Sequence, residues 1–200
     1  MSLDPRAPAL GLVLALSLFF LSCSSSSKEE SQGQAEPRSR HAQLRLKTGE
    51  AMSLDLASAL ELPRAQLCRE LGLYDCAREA HRVVLGGVEP YTLRIDQPLN
   101  AIPVAGPIAV DRLALAACGQ RAQLDFATPV EARVFGPLAR GEADARAATI
   151  DALYERLLAR APDPDERRAL LTLAEPPATD RDFAVLSCFA AATSLEFLFF

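Results

Sequence analysis

Five cysteines and two histidines are the side chains with the widest chemical reach in this 200-residue chain. Cys68, Cys76 and His81 lie close together, and thiolates with an imidazole are the donor set of a zinc site. Their spacing, C-x7-C-x4-H, departs from the C-x2-4-C and H-x3-5-H patterns that zinc favours. With Cys23 set aside, Cys68, Cys76, Cys118 and Cys188 make an even set. In an oxidising compartment such a set reads as two disulfides with three possible connectivities. The pairing expected is Cys68–Cys76 with Cys118–Cys188. In one unbroken helix residues eight apart would sit ~12 Å from each other, too far for a bridge. Gly72 and Asp75 imply a turn that brings the first pair together. The second pair closes a loop of roughly 70 residues, worth roughly 4 kcal/mol by the chain-entropy account. A metal held by Cys68, Cys76 and His81, and free buried thiols, are the alternatives.

Other chemistry finds little support in the motifs. The chain has no G-x-S-x-G, H-E-x-x-H, G-x-G-x-x-G or C-x-x-C, and neither lysine (Lys28, Lys47) stands in a phosphate loop. A histidine base would have to be His81, since His41 falls in a polar N-terminal segment. The acid clusters Asp163/Asp165/Glu166 and Asp180/Asp182 sit where helices should begin, so capping and the helix dipole account for them. Arg156, Arg160, Arg167 and Arg168 read as a solvated face. No catalytic residue and no cofactor is assigned, and whether the chain is an enzyme stays open.

The elements that must position these residues start after a distinctive N-terminus. Ala9 to Leu21 is apolar apart from Gly11 and Ser17, too short to cross a bilayer as a helix and of signal-peptide length. Phe20-Leu21-Ser22-Cys23 resembles a bacterial lipobox, with Ser22 in its small position and Phe20 where an aliphatic residue is usual. That resemblance implies lipidation of Cys23 after removal of residues 1–22. Residues 23–51 start with Ser24-Ser25-Ser26-Ser27-Lys28-Glu29-Glu30 and lack the apolar side chains needed to fold, which predicts a tether. Ser24 beside the cysteine is not a charged retention signal, which favours the outer membrane.

Residues 52–200 hold the globular part, expected as one mainly α domain of about six helices with two Pro-rich loops. Half of the residues are apolar and 24% charged, with a formal net charge of −5; this excludes a disordered chain and offers no basic field for nucleic acid. Helices are expected from Ser53 to Leu60, Arg64 to Leu71 and Cys76 to Val84, with Asp75 as a cap. Asp111 to Leu124 is expected to turn Val110, Leu113, Ala117 and Leu124 inward. The clearest helix, Glu142 to Arg160, carries Ala147, Ile150, Tyr154, Leu157 and Leu158 at spacings of three and four. Asp163 caps another helix that ends at Pro176-Pro177. Phe183 to Leu195 is uncharged and is expected as a central helix rather than a membrane span. The loops are 88–109 and 125–141.

The stretch Ala152-Leu153-Tyr154-Glu155-Arg156-Leu157-Leu158-Ala159-Arg160-Ala161-Pro162-Asp163-Pro164-Asp165-Glu166, with Ser194-Leu195-Glu196-Phe197-Leu198-Phe199 after it, resembles a helix pair of secreted planctomycete-type cytochrome-associated proteins. Residues 64–124, with Leu85-Gly86-Gly87-Val88-Glu89-Pro90-Tyr91, look similar to predicted lipoproteins of myxobacteria. The resemblances imply a helical envelope protein and supply no catalytic residue; the haem motif of the first family is missing. The expectation is a lipid-anchored protein of the outer membrane with a non-catalytic interaction role. Its partners would be the membrane through Cys23 and an envelope protein, with no nucleic acid. The alternative is a periplasmic ligand-binding or enzymatic module with its site in the 88–109 and 125–141 loops.

Overall fold

The computed structural model describes residues 44–99, 101–173 and 178–200. Cys23, His41, the signal segment, the tether up to residue 43 and Pro176-Pro177 lie outside the described residues. The described chain is mainly helical, with five helices of at least seven residues.

The core forms around two helices rich in small side chains. Helix α2 runs from Gly106 to Ala127, with Pro107 in its first turn, longer than expected at both ends. Its buried residues Ala109, Val110, Leu113, Ala114, Ala117, Cys118, Arg121, Ala122 and Asp125 recur at three and four, the period of one helix face. Leu124, expected inward, is 39% exposed, and Asp125 is fully buried in its place. Residue 125 lies eleven after Ala114 and seven after Cys118, on their buried side of the helix. Helix α6, Asp180–Ala192, buries Phe183, Ala184, Ser187, Cys188, Ala191 and Ala192. Alanines on both faces let the two backbones approach, and Cys118 and Cys188 meet there with a Cα–Cα distance of 5.8 Å. Leu186 on α6 is 40% exposed, so this helix is central without being enclosed all round. Among the described residues no helix is long and apolar enough to cross a membrane.

Around this pair pack α1 (Gly49–Ala59), α3 (Gly136–Ala139), α4 (Ala145–Leu158) and α7 (Leu195–Leu198), and α5 (Pro164–Thr172) packs on α4. Helix α4 buries Thr149, Ile150, Leu153 and Tyr154. Helix α5 starts as its sequence dictates: Asp163 accepts from the Asp165 and Glu166 backbone, and Glu166 reaches back in a capping box.

Three local expectations are corrected. Helix α1 starts at Gly49 with Thr48 as its cap, not at Ser53, which is buried in mid-helix. A side chain at Gly49 would meet Leu85 and the Ala77 carbonyl, so glycine allows the close approach that moves the start. Residues 44–51, expected as the end of the tether, therefore belong to the folded body. Leu46 bridges Phe199, Lys47 N–H donates to the Leu198 carbonyl, and Phe200 N–H to that of Arg45.

Residues 64–71 do not form a helix. A 3-10 turn at Arg64–Gln66 leads into the antiparallel hairpin β1 (Arg69–Glu70) and β2 (Tyr74–Asp75). Leu71 (φ 54°) and Gly72 (φ 72°), both left-handed, stand in its three-residue loop, where the Leu73 N–H donates to the Glu70 carbonyl at 3.0 Å. Asp75 does act as a cap, accepting from the Ala77 and Arg78 backbone, but of a five-residue π-helical turn, Cys76–Ala80, rather than of a helix reaching Val84.

Candidate functional site

The hairpin is tied at its base. Cys68 and Cys76 stand at disulfide distance, with Cα atoms 5.5 Å apart. Cys68 Sγ also lies 3.9 Å from the Arg112 carbonyl oxygen, which places the hairpin beside the N-terminal half of α2. Glu70 Oε1 is 3.0 Å from His81 Nε2 and 3.1 Å from Arg112 Nη1. The two sulfurs face each other at disulfide distance while His81 faces a carboxylate already shared with an arginine, so among the described residues Cys68, Cys76 and His81 do not converge on a common point. Beyond the tie, the hairpin presents Leu71, Leu73 and Tyr74 to water, exposed by 86%, 65% and 52%. Gly72 is the only other residue between the strands' paired ends. The next turn, closed by the Glu89–Ile95 bridge, exposes Tyr91 and Leu93.

Grooves flank the body. One of about 1040 Å³ lies where α1 and α2 end, lined by Glu61, Leu62, Arg121, Thr128, Glu131 and Arg133 among others. Glu61 follows α1 in the left-handed conformation, φ 49°, where glycine is usual. Its N–H and that of Leu62 return to Ser58 and Ala57, as in a Schellman ending. Glutamate repays its strain through its carboxylate, 2.9 Å from Arg156 and 3.6 Å from Arg133. At the groove's inner side Arg121 Nη2 donates to Asp125 at 2.6 Å. Asp125 also accepts from the backbone of Arg133, Val134 and Phe135, so its four bonds fasten the approach to α3 onto α2. Among the described residues Arg121 Nε, which is buried, meets no hydrogen-bond partner.

The second groove, about 640 Å³, is lined by Leu44, Arg45, Lys47, Leu99, Ile102 and Phe199 among others. Residues from the 88–109 loop thus line one groove and residues from the 125–141 loop the other.

The arginines expected as a solvated face instead stitch elements together. Arg156 donates to the Ala59 and Arg133 carbonyls as well as to Glu61. Arg160 spans two carboxylates, 2.7 Å from Glu166 and 2.7 Å from Glu196, and covers the Tyr154 ring at 5.1 Å. Arg167 pairs with Asp151, and only Arg168, with Asp165, stays on the surface of its own helix. The hydrogen bonds from Arg160, followed by the Asp163 backbone N–H, hold the Glu166 carboxyl down to about 2. Arg160 lowers Glu196 likewise, and burial raises the Tyr154 phenol. Asp182 is lowered by the Thr179 hydroxyl and backbone that it caps. These acids are occupied in capping and cross-linking. Helix-start chemistry foretold the capping, whereas the Arg160–Glu196 bridge spans 36 residues and had no local signal. Comparison with protein families, curated proteins and solved structures finds no match for this chain.

Proposed function

We propose that this is a lipid-anchored protein of the cell envelope, held at the outer membrane by Cys23, whose role is non-catalytic interaction with an envelope partner. The anchor rests on the Leu21-Ser22-Cys23 sequence after an apolar run. The interaction role rests on the hairpin tip: Leu71-Gly72-Leu73-Tyr74 exposes three large apolar side chains on a turn stapled at its base by Cys68 and Cys76. Leu71 holds a left-handed backbone that asparagine would adopt at lower cost. A rigid turn that keeps an apolar residue in a strained, water-facing position is suited to recognition, because little ordering entropy is left to lose on binding. Tyrosine and leucine at such a tip are good anchors for a partner's pocket. Co-purification from detergent-solubilised membranes should recover a stoichiometric partner, and Leu71→Asp should release it; recovery of the bare protein each time would count against the role. Intact mass of the extracted protein tests the anchor through acylation of Cys23.

A second reading, a periplasmic ligand-binding or enzymatic module, is favoured by one observation: the 125–141 loop lines the larger groove with Thr128, Glu131 and Arg133. A ligand-dependent rise in melting temperature across a metabolite and glycan panel would support it.

A further inference from the structure

The two cysteine pairs differ in what can reach them. Cys118 and Cys188 are fully buried between α2 and α6, and Cys76 is fully buried at the foot of the hairpin, but Cys68 is only partly covered. A thiolate from solution must touch one sulfur of a pair to open it. Cys68 is therefore the point of entry, and Cys76 is the sulfur that leaves. The Arg112 carbonyl oxygen, 3.9 Å from Cys68 Sγ, is an acceptor for the S–H of a reduced Cys68. The reduced sulfur thus finds a hydrogen bond that the oxidised one cannot make.

What this pair holds is weak without it. Strands β1 and β2 pair only Arg69 with Asp75 and Glu70 with Tyr74, and so short a two-stranded hairpin is at best marginal in water. Leu71 adds a left-handed backbone, which its Cβ makes unfavourable. Leu71, Leu73 and Tyr74 stand in water rather than on the core, so no packing offsets that strain. The remaining side-chain ties are Glu70 to Arg112 and His81, and Arg69 Nη2 to the Leu73 carbonyl. All of them are at least partly exposed, where such contacts hold little. On either side the chain is secured by Leu67 and Leu85, both buried, so a change in the hairpin is bounded.

We propose that Cys68–Cys76 is a thiol-exchange site that unlocks the hairpin while the core pair stays closed. A thiolate attacks Cys68 Sγ. Its bond to that sulfur forms as the Cys68–Cys76 bond breaks, and Cys76 leaves with the electron pair and takes a proton from water. A second thiolate attacks the incoming sulfur and releases Cys68, which is protonated in turn. The cysteine pair is reduced, two thiols are oxidised to a disulfide, and the reverse exchange restores the staple. The consequence for binding rests on the interaction role of the tip. An unstapled tip must be ordered when it binds, which weakens its hold on a partner.

The test uses the full-length protein extracted in detergent and equilibrated in glutathione buffers from oxidising to reducing. Free thiols are then alkylated and the peptides mapped by mass. Cys68 and Cys76 should become alkylated at glutathione ratios that leave Cys118 and Cys188 paired, with the glutathione adduct on Cys68. Over the same ratios hydrogen exchange of the 69–80 amides should rise on the order of tenfold to a hundredfold, with α2 and α6 unchanged. Cys76→Ser should take up one glutathione at Cys68, whereas Cys68→Ser should take up none. Opening of both pairs together, an adduct on Cys76, or a reduced pair with unchanged 69–80 amides overturns the proposal. So does a Cys68–Cys76 pair that stays closed at every ratio the fold survives. Co-purification before and after selective reduction separates this idea from its foundation. A partner lost on reduction and regained on reoxidation supports both. No partner in either state defeats the interaction role and leaves the exchange site standing on its peptide map. A partner retained after selective reduction keeps the interaction role and overturns control of the tip by exchange.

Discussion

Cys118 and Cys188 are fully buried where α2 meets α6, whereas Cys68 is partly exposed and closes a hairpin whose tip stands in water. The first pair joins residues 70 apart and the second residues 8 apart. Around the first pair, small side chains at helical spacing seal a core. Around the second, side chains of similar apolarity, Leu71, Leu73 and Tyr74, find nothing to cover them. The same chemistry therefore has two uses. In the core a disulfide adds to packing that already specifies the arrangement; at the edge it substitutes for packing that two strands of two residues cannot supply.

That contrast can be broken most severely at Asp125. Asp125→Ala would leave the buried Arg121 without its carboxylate and three backbone N–H groups without an acceptor, a loss of about 5 kcal/mol. Urea titration of the purified protein should show it; a loss below about 2 kcal/mol would mean that the junction before α3 is held by packing alone. Next in size, Cys118→Ala with Cys188→Ala removes a 70-residue closure, which should cost roughly 4 kcal/mol and lower the melting temperature by on the order of 10 °C.

Cys68→Ala with Cys76→Ala should cost less, roughly 2–3 kcal/mol, because the closed loop is short. Its signature should be local. Hydrogen exchange of the 69–80 amides should accelerate while α2 and α6 amides keep their protection, and equal acceleration everywhere would erase the distinction between core and edge.

The smallest effect sharpens the comparison from the surface side. Glu166 ordinarily titrates near 4.5 and is held down to about 2 by Arg160 and by the Asp163 backbone. A carboxyl lowered on folding stabilises above its unfolded value and loses that contribution as pH falls through its folded one. The destabilisation by Arg160→Ala should therefore be full above about pH 4.5 and fade towards pH 2. Its size should be modest because both partners are over a quarter exposed. Melting curves of parent and variant across that range would show parallel lines if the bridge contributes nothing.

Much of the helical frame was legible because its causes are local. The capping box at Asp163 and Glu166 lies within four residues, and the stripe on α4 repeats within two turns. The preferred cysteine pairing had a local signal, the turn implied by Gly72 and Asp75, and both pairs stand at disulfide distance. The start of α1 was not, because Gly49 matters through Leu85, far along the chain. Nor was the hairpin: Arg64 to Leu71 has acceptable helix formers, and the paired cysteines with the left-handed Leu71-Gly72 tip override them.

The sequence by itself determined a mainly helical body after an apolar N-terminal run, Ala9 to Leu21, because periodicity, caps and composition act over a few residues. Only the tertiary structure decided that Asp125 rather than Leu124 turns inward, that Arg156 and Arg160 bind distant elements, and that Leu99, Ile102, Val104 and Ile108 remain uncovered. Those outcomes depend on which surfaces meet, and burial and long-range ion pairs are settled between segments that carry no local record of one another.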